Sequence, residues 1–143
     1  MTRAILIAIL LMGSSAQAVE YHAVAHGISY HFGKEFNEVN PGAGIRFEYS
    51  EDWSLQVGAY RNSIDRNSVY VIADWTPLHV GVFSAGLFGG AASGYEWKSV
   101  AGVTGVVGGV ARAQVERWSV ALRAAPKHPK SAAVVALEIG YRF

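Results

Sequence analysis

Cysteine is absent from the 143 residues, which excludes disulfides, thiolate nucleophiles and thiolate metal centres. Charge is scarce and balanced: 12 Lys and Arg against 11 Asp and Glu leave a net charge of +1. Nucleic-acid binding wants a clustered basic face, so that partner is not expected. Long hydrophobic runs are also missing. Beyond residue 18 none approaches the ~20 apolar residues of a spanning helix, although 51% of the chain is hydrophobic and Gly contributes 16 residues. A chain this apolar without a spanning helix fits few architectures. A transmembrane β-barrel is one, because its apolar residues are spread over every second position.

The first residues carry an address. Arg3, the apolar run Ala4 to Met12 and the site Ala16-Gln17-Ala18 describe a secretory signal peptide cleaved after Ala18. The expected organisation is thus a signal peptide, 1–18, and a single β-barrel domain, 19–143.

Alternation of period two runs through the mature chain. In 42–50, Ala43, Ile45, Phe47 and Tyr49 alternate with Gly42, Gly44, Arg46, Glu48 and Ser50. Trp53, Leu55, Val57 and Ala59 alternate with Ser54, Gln56, Gly58 and Tyr60, and Val69, Val71, Ala73 and Trp75 with Ser68, Tyr70, Ile72 and Asp74. In 21–32, Val24, Ile28, Tyr30 and Phe32 form one set; Ala23, Ala25, Gly27, Ser29 and His31 form the other. Segments 78–90 and 100–110 are Gly-rich and their phase is ambiguous. Two later segments centre on Trp118-Val120-Leu122 and Val135-Leu137-Ile139-Tyr141-Phe143. Eight strands result.

Two features favour an eight-stranded antiparallel transmembrane barrel of the outer-membrane type over a soluble sandwich. Phe143 ends a strand with apolar or aromatic residues at every second position, which resembles the terminal signature read by the barrel-assembly machinery. Connections 33–41, 63–67, 91–100 and 124–132 are long. Those expected at Glu51-Asp52, Thr76-Pro77 and within 111–114 are short, the outside-against-inside asymmetry of such barrels. Trp53, Trp75, Tyr49 and Tyr141 then form a periplasmic aromatic girdle. The expected location is the outer membrane, and the expected state a monomer.

Eight strands leave an interior filled by side chains or by one small ligand. Its lower part is expected to hold a satisfied ion-pair plug of Arg46, Glu48, Gln56, Asp74, Arg117, Glu138 and Arg142. Its upper part is small or neutral: Gly27, Ser29, His31, Gly42, Gly44, Gly58, Tyr60, Asn62, Ser68 and Tyr70. Two readings remain open there. The glycines leave a slot for an acyl chain, or Tyr60 and Tyr70 fold in and fill it. At the rim His31, Asn62 and Ser63 supply a base, a carboxamide and a hydroxyl of the kind used in acyl transfer.

Phe36-Asn37-Glu38, Pro41-Gly42-Ala43-Gly44, Ala59-Tyr60-Arg61-Asn62-Ser63, Trp75-Thr76-Pro77-Leu78 and the terminal Arg142-Phe143 follow one another at a telling spacing. In that order they resemble the outer-membrane lipid A palmitoyltransferases (PagP-like). The resemblance implies an eight-stranded barrel that moves a palmitoyl chain from phospholipid to lipid A. It implies catalytic His31 (His26 being the alternate), Asn62 in place of the family's Asp, and Ser63. It also implies an acyl pocket lined by Gly27, Ser29, Gly42, Gly44, Gly58, Tyr60, Ser68 and Tyr70. Membrane lipids are the expected partners, and no metal or other cofactor is expected. The other function class consistent with these residues is a non-catalytic barrel whose loops bind a surface partner.

Overall fold

The computed structural model describes residues 18–33, 35–95, 102–128 and 132–143. The expected signal segment up to residue 17, and Lys34, Lys98 and Lys130, which the loops would carry, lie outside the described residues. Eight strands form: β1 (Glu20–Phe32), β2 (Val39–Glu48), β3 (Trp53–Arg61), β4 (Asn67–Val80), β5 (Phe83–Ser93), β6 (Val103–Val115), β7 (Trp118–Ala125) and β8 (Ala133–Arg142). Each pairs antiparallel with its sequence neighbour, and β1 pairs with β8 to close the barrel. Closure gives each strand a paired neighbour on both sides, which is what makes a β-structure tolerable in lipid.

The burial pattern is inverted relative to a water-soluble protein. Among the described residues, buried polar and charged side chains number thirteen and buried apolar ones seven. Ile45, Val57, Val71, Leu87, Val107, Val120, Leu122 and Ile139 stand on the outer face. A continuous apolar exterior of this extent is an aggregation surface in water and a solvation surface in a bilayer. Aromatic pairs bound it. Trp53 stacks on Trp75 (6.2 Å), Tyr21 meets Phe47 (5.6 Å) and Trp118 meets Tyr141 (4.9 Å) at the end with short turns. Tyr30 meets Phe32 (4.8 Å) at the end with long loops. The stretch of β1 between these levels, at ~3.3 Å per residue and a tilt of ~40°, covers about 25 Å, the height of the apolar band of such barrels.

Strands β2, β3, β4, β7 and β8 present the expected faces. β1 does not. Its register with β2 shifts between His26 and Ile28, and with β8 between His26 and Ser29. This bulge, centred on Gly27, reverses the phase. Below it His22, Val24 and His26 face the lumen and Ala25 faces out, opposite to the expectation; above it Ser29 and His31 face in. The short connections also move. Thr76-Pro77 is no turn: Pro77 lies in a register shift between Trp75 and Leu78, a site where a missing N–H is harmless. β4 continues to Val80, and Gly81, at φ 59°, makes the hairpin turn. The next turn falls at Glu116-Arg117, beyond the expected 111–114, with Glu116 at φ 55°.

Candidate functional site

The lower lumen is closed by charge. Arg123 donates to both oxygens of Asp74 (2.5 and 2.9 Å), and Arg112 Nη2 donates to Asp74 at 2.7 Å. Arg46 donates to Glu48 (3.0 Å) and to Glu138 (3.4 Å), and Arg123 Nε lies 3.5 Å from Glu138. Three guanidiniums therefore face three carboxylates, with Gln56 bridging Arg123 and Glu138. Buried charge is tolerated only when paired in this way. Arg142 pairs with Glu20 at the rim (3.2 Å), whereas Arg117 is an exposed turn residue outside the plug. Arg112 and Arg123 are plug members that the sequence reading did not place there. An arginine on β6 has to face the lumen, so Arg112 was the signal that fixes the phase of that Gly-rich strand.

Glu20, His22 and Glu48 bring possible metal-ligand atoms within 4.8 Å of one another at the same rim. Arg46 donates to His22 Nδ1 (3.0 Å), and a guanidinium has no acceptor, so neutral His22 carries its proton on Nε2. His22 Nε2 lies 3.2 Å from Glu48 and 3.9 Å from Glu20, and with Nδ1 taken by Arg46 the group is tied into the plug rather than open to a cation.

Above the plug lies a cavity of about 510 Å³, within the range of small-ligand sites. One wall is apolar, lined by Ile72, Phe88, Ala92, Val106 and Ala136, and among the described residues neither Asp nor Glu lines the cavity. The opposite wall holds the glycines of β2 and β3, and there the open question of the lumen is answered. A Cβ on Gly44 or on Gly58 would stand 2.6 Å from the Tyr70 hydroxyl, so Tyr70 fills the glycine slot. Tyr60 lies over Gly42 and hydrogen-bonds Tyr95 (2.8 Å). The free volume lies across the lumen, toward β5, β6 and β8. Gly27 sits on the β1 bulge, where a Cβ would meet nothing within 4 Å, and Ser29 is bonded to Asn40.

The cavity also borders the upper part of the β6–β7 seam. The register between β6 and β7 ends at Gly109↔Ala124, and β7 itself ends at Ala125, while β6 runs upward to Val103. Pro126, which cannot donate a ladder bond, follows directly. Gly105, Val106 and Val107 on one side and Ala125, Pro126 and Lys127 on the other all line the cavity.

His31 and Ser63 are brought to the mouth of this cavity together with Phe36, on which the His31 ring packs at 4.9 Å. Asn62 is not. It is fully buried, donating to Ser68 (2.9 Å) and the Gly94 carbonyl (3.2 Å) and accepting from the Ile64 and Arg66 amides (both 3.0 Å). These four bonds exhaust its capacity and fold the β3–β4 loop. Ser68 is likewise occupied, donating to the Ser93 carbonyl at 2.6 Å. Beside the loop, Arg61 donates to Asp65 at 2.8 Å, and that hydrogen bond together with the cationic charge holds the exposed Asp65 carboxyl below its ordinary pKa.

These features define a class, the eight-stranded antiparallel transmembrane β-barrels. Two solved structures of designed barrels agree on that architecture. A de novo designed transmembrane β-barrel aligns with a TM-score of 0.63 at 17% identity over 87% of this chain and 94% of its own. A second designed barrel, solved by solution NMR, gives 0.63 at 11% identity over 92% and 98%. The Yersinia pestis outer membrane protein Ail gives 0.49 at 13% over 87% and 99%. No protein-family model and no curated protein matches the chain.

Proposed function

We propose that the chain is an outer-membrane barrel that draws a lipid acyl chain from the outer leaflet into its upper lumen. There it transfers the chain as a lipid A acyltransferase, with phospholipid as donor. The observation that carries this reading is the cavity above the plug, with its apolar wall and its lining on both sides of the upper β6–β7 seam. Backbone that leaves its ladder at membrane depth is tolerated where it lines a cavity, and an acyl chain is the apolar guest a bilayer offers there. His31 and Ser63 at the cavity mouth supply imidazole and hydroxyl near the level of lipid esters. The order of short motifs resembling lipid A palmitoyltransferases supports the same substrate class. The test is mass spectrometry of lipid A from cells with and without the chain. An added palmitoyl mass is expected, and identical profiles refute the activity.

A second reading, a barrel that holds an amphiphile without transferring it, is favoured by the commitment of Asn62 to the β3–β4 loop. It predicts co-purified lipid with an unchanged lipid A profile.

A further inference from the structure

The floor of the cavity carries a hydroxyl and an imidazole, with a plug carboxylate behind them, and their protons can be assigned by elimination. Gln56 accepts from Arg123 through Oε1, so its Nε2 is the group that donates to Glu138 (2.7 Å) and to the Tyr70 oxygen (2.9 Å). The Tyr70 oxygen is thereby an acceptor from Gln56, and its own O–H is directed at His26 Nε2, 2.6 Å away. His26 then bears its proton on Nδ1, which faces Glu138 Oε2 at 3.5 Å. This separation is long for a neutral hydrogen bond and short for an ion pair once the imidazole is protonated. A hydroxyl bonded to a base that is oriented by a third group is the arrangement that activates a nucleophile. Tyr70 and His26 both line the cavity. Tyr70 also shares a rung with Ala92 and Thr104, next to Gly105 at the β6–β7 seam.

We propose that Tyr70 is the reacting hydroxyl of this cavity, with His26 as its general base and Glu138 as the residue that positions His26, acting on a lipid acyl ester. The proposal rests on the acyl-transfer reading above and moves its chemistry from the rim to the floor. The Tyr70 oxygen attacks the ester carbonyl carbon while its proton passes to His26 Nε2. The bond to the donor alcohol breaks, and the departing oxygen takes that proton, leaving an acyl-tyrosine and a free donor hydroxyl. In the second half an acceptor hydroxyl attacks the acyl carbon, and its proton goes to His26. The Tyr70 oxygen leaves and recovers the proton. A phenolic oxygen leaves more readily than an alkoxide, so the chain is passed on. Glu138 faces the imidazolium in both halves.

The experiment treats the purified, folded full-length mature barrel with a long-chain alkyl fluorophosphonate and locates the adduct by peptide mass spectrometry. The expected adduct is on Tyr70. It persists in Ser63→Ala and falls about 100-fold in rate in His26→Gln, the scale of a lost general base. It slows in Glu138→Gln and partly recovers in Glu138→Asp, while all variants keep the heat-resistant folded band. An adduct confined to Ser63, no adduct, or labelling of Tyr70 indifferent to His26 overturns the proposal. So does unaltered acylation of lipid A by Tyr70→Phe, an outcome that leaves the acyltransferase reading standing. If lipid A is the same with and without the chain while Tyr70 takes the probe, transfer to lipid A is wrong and the reactive hydroxyl is upheld.

Discussion

Asp74 accepts from Arg112 and twice from Arg123, so Asp74→Asn changes the plug from three cations against three anions to three against two. The amide keeps the shape and removes the charge. Leaving a buried charge without its partner costs about 3–5 kcal/mol, and two guanidiniums share the loss here. With a urea slope of ~2 kcal/mol per molar, the unfolding midpoint falls by about 1.5–2.5 M. The assay is equilibrium unfolding of the refolded barrel in lipid vesicles, followed by tryptophan emission, since Trp53, Trp75 and Trp118 ring the lower end. Arg112→Gln in the Asp74→Asn background restores equal counts and should recover part of the midpoint, a coupling expected only of groups in contact. Asp65→Asn at the exposed rim pair should move the midpoint far less than Asp74→Asn does. A midpoint for Asp74→Asn equal to wild type, or a double variant no better than the single, refutes the charge-balanced plug.

Gly58→Leu should lower stability by ~1–3 kcal/mol through overpacking against Tyr70, measured by the same unfolding; an undiminished midpoint would show that the slot is empty. Ala92→Leu instead adds atoms on the open side of the cavity, so the folded band should persist while shorter acyl chains are recovered on lipid A; unchanged chain length counts against the cavity as the chain site. The Asp65 carboxyl has its pKa depressed by Arg61, so the stabilisation from this pair is present at neutral pH and lost as pH falls through the depressed value. Arg61→Gln should move the Asp65 carboxyl titration upward by NMR, and an unmoved titration refutes the pairing.

Strict alternation with large outer side chains made β3, β7 and β8 legible in the sequence: Trp, Val, Leu and Ile at every second position leave one possible phase. β1 defeated that logic because the bulge at Gly27 changes parity mid-strand, hiding His22 and His26 on what looked like the lipid face. In β5 and β6 glycine and alanine occupy both faces, so side-chain size carries no phase, and Phe88 could not be assigned. Pro77 read as a turn because a bulge and a turn exclude the N–H equally. The glycines of β2 and β3 were correctly read as inward space. That Tyr70 occupies it depends on a reach across two neighbouring strands, which no linear pattern encodes. Asn62 was matched to a catalytic carboxylate by its place in Ala59-Tyr60-Arg61-Asn62-Ser63, and at the start of the β3–β4 loop its side chain holds that loop together.

A lumen sealed by equal numbers of opposite charges has an electrical consequence. With three guanidiniums against three carboxylates among the described plug residues, and Arg46, Gln56 and Asp74 all nearly inaccessible, small ions find neither a route nor a counter-charge to draw them in. In a planar bilayer this barrel should behave as an insulator, with flat current traces at voltages where porins conduct. A cell could carry many copies in its envelope without becoming leakier to salts or small hydrophilic antibiotics.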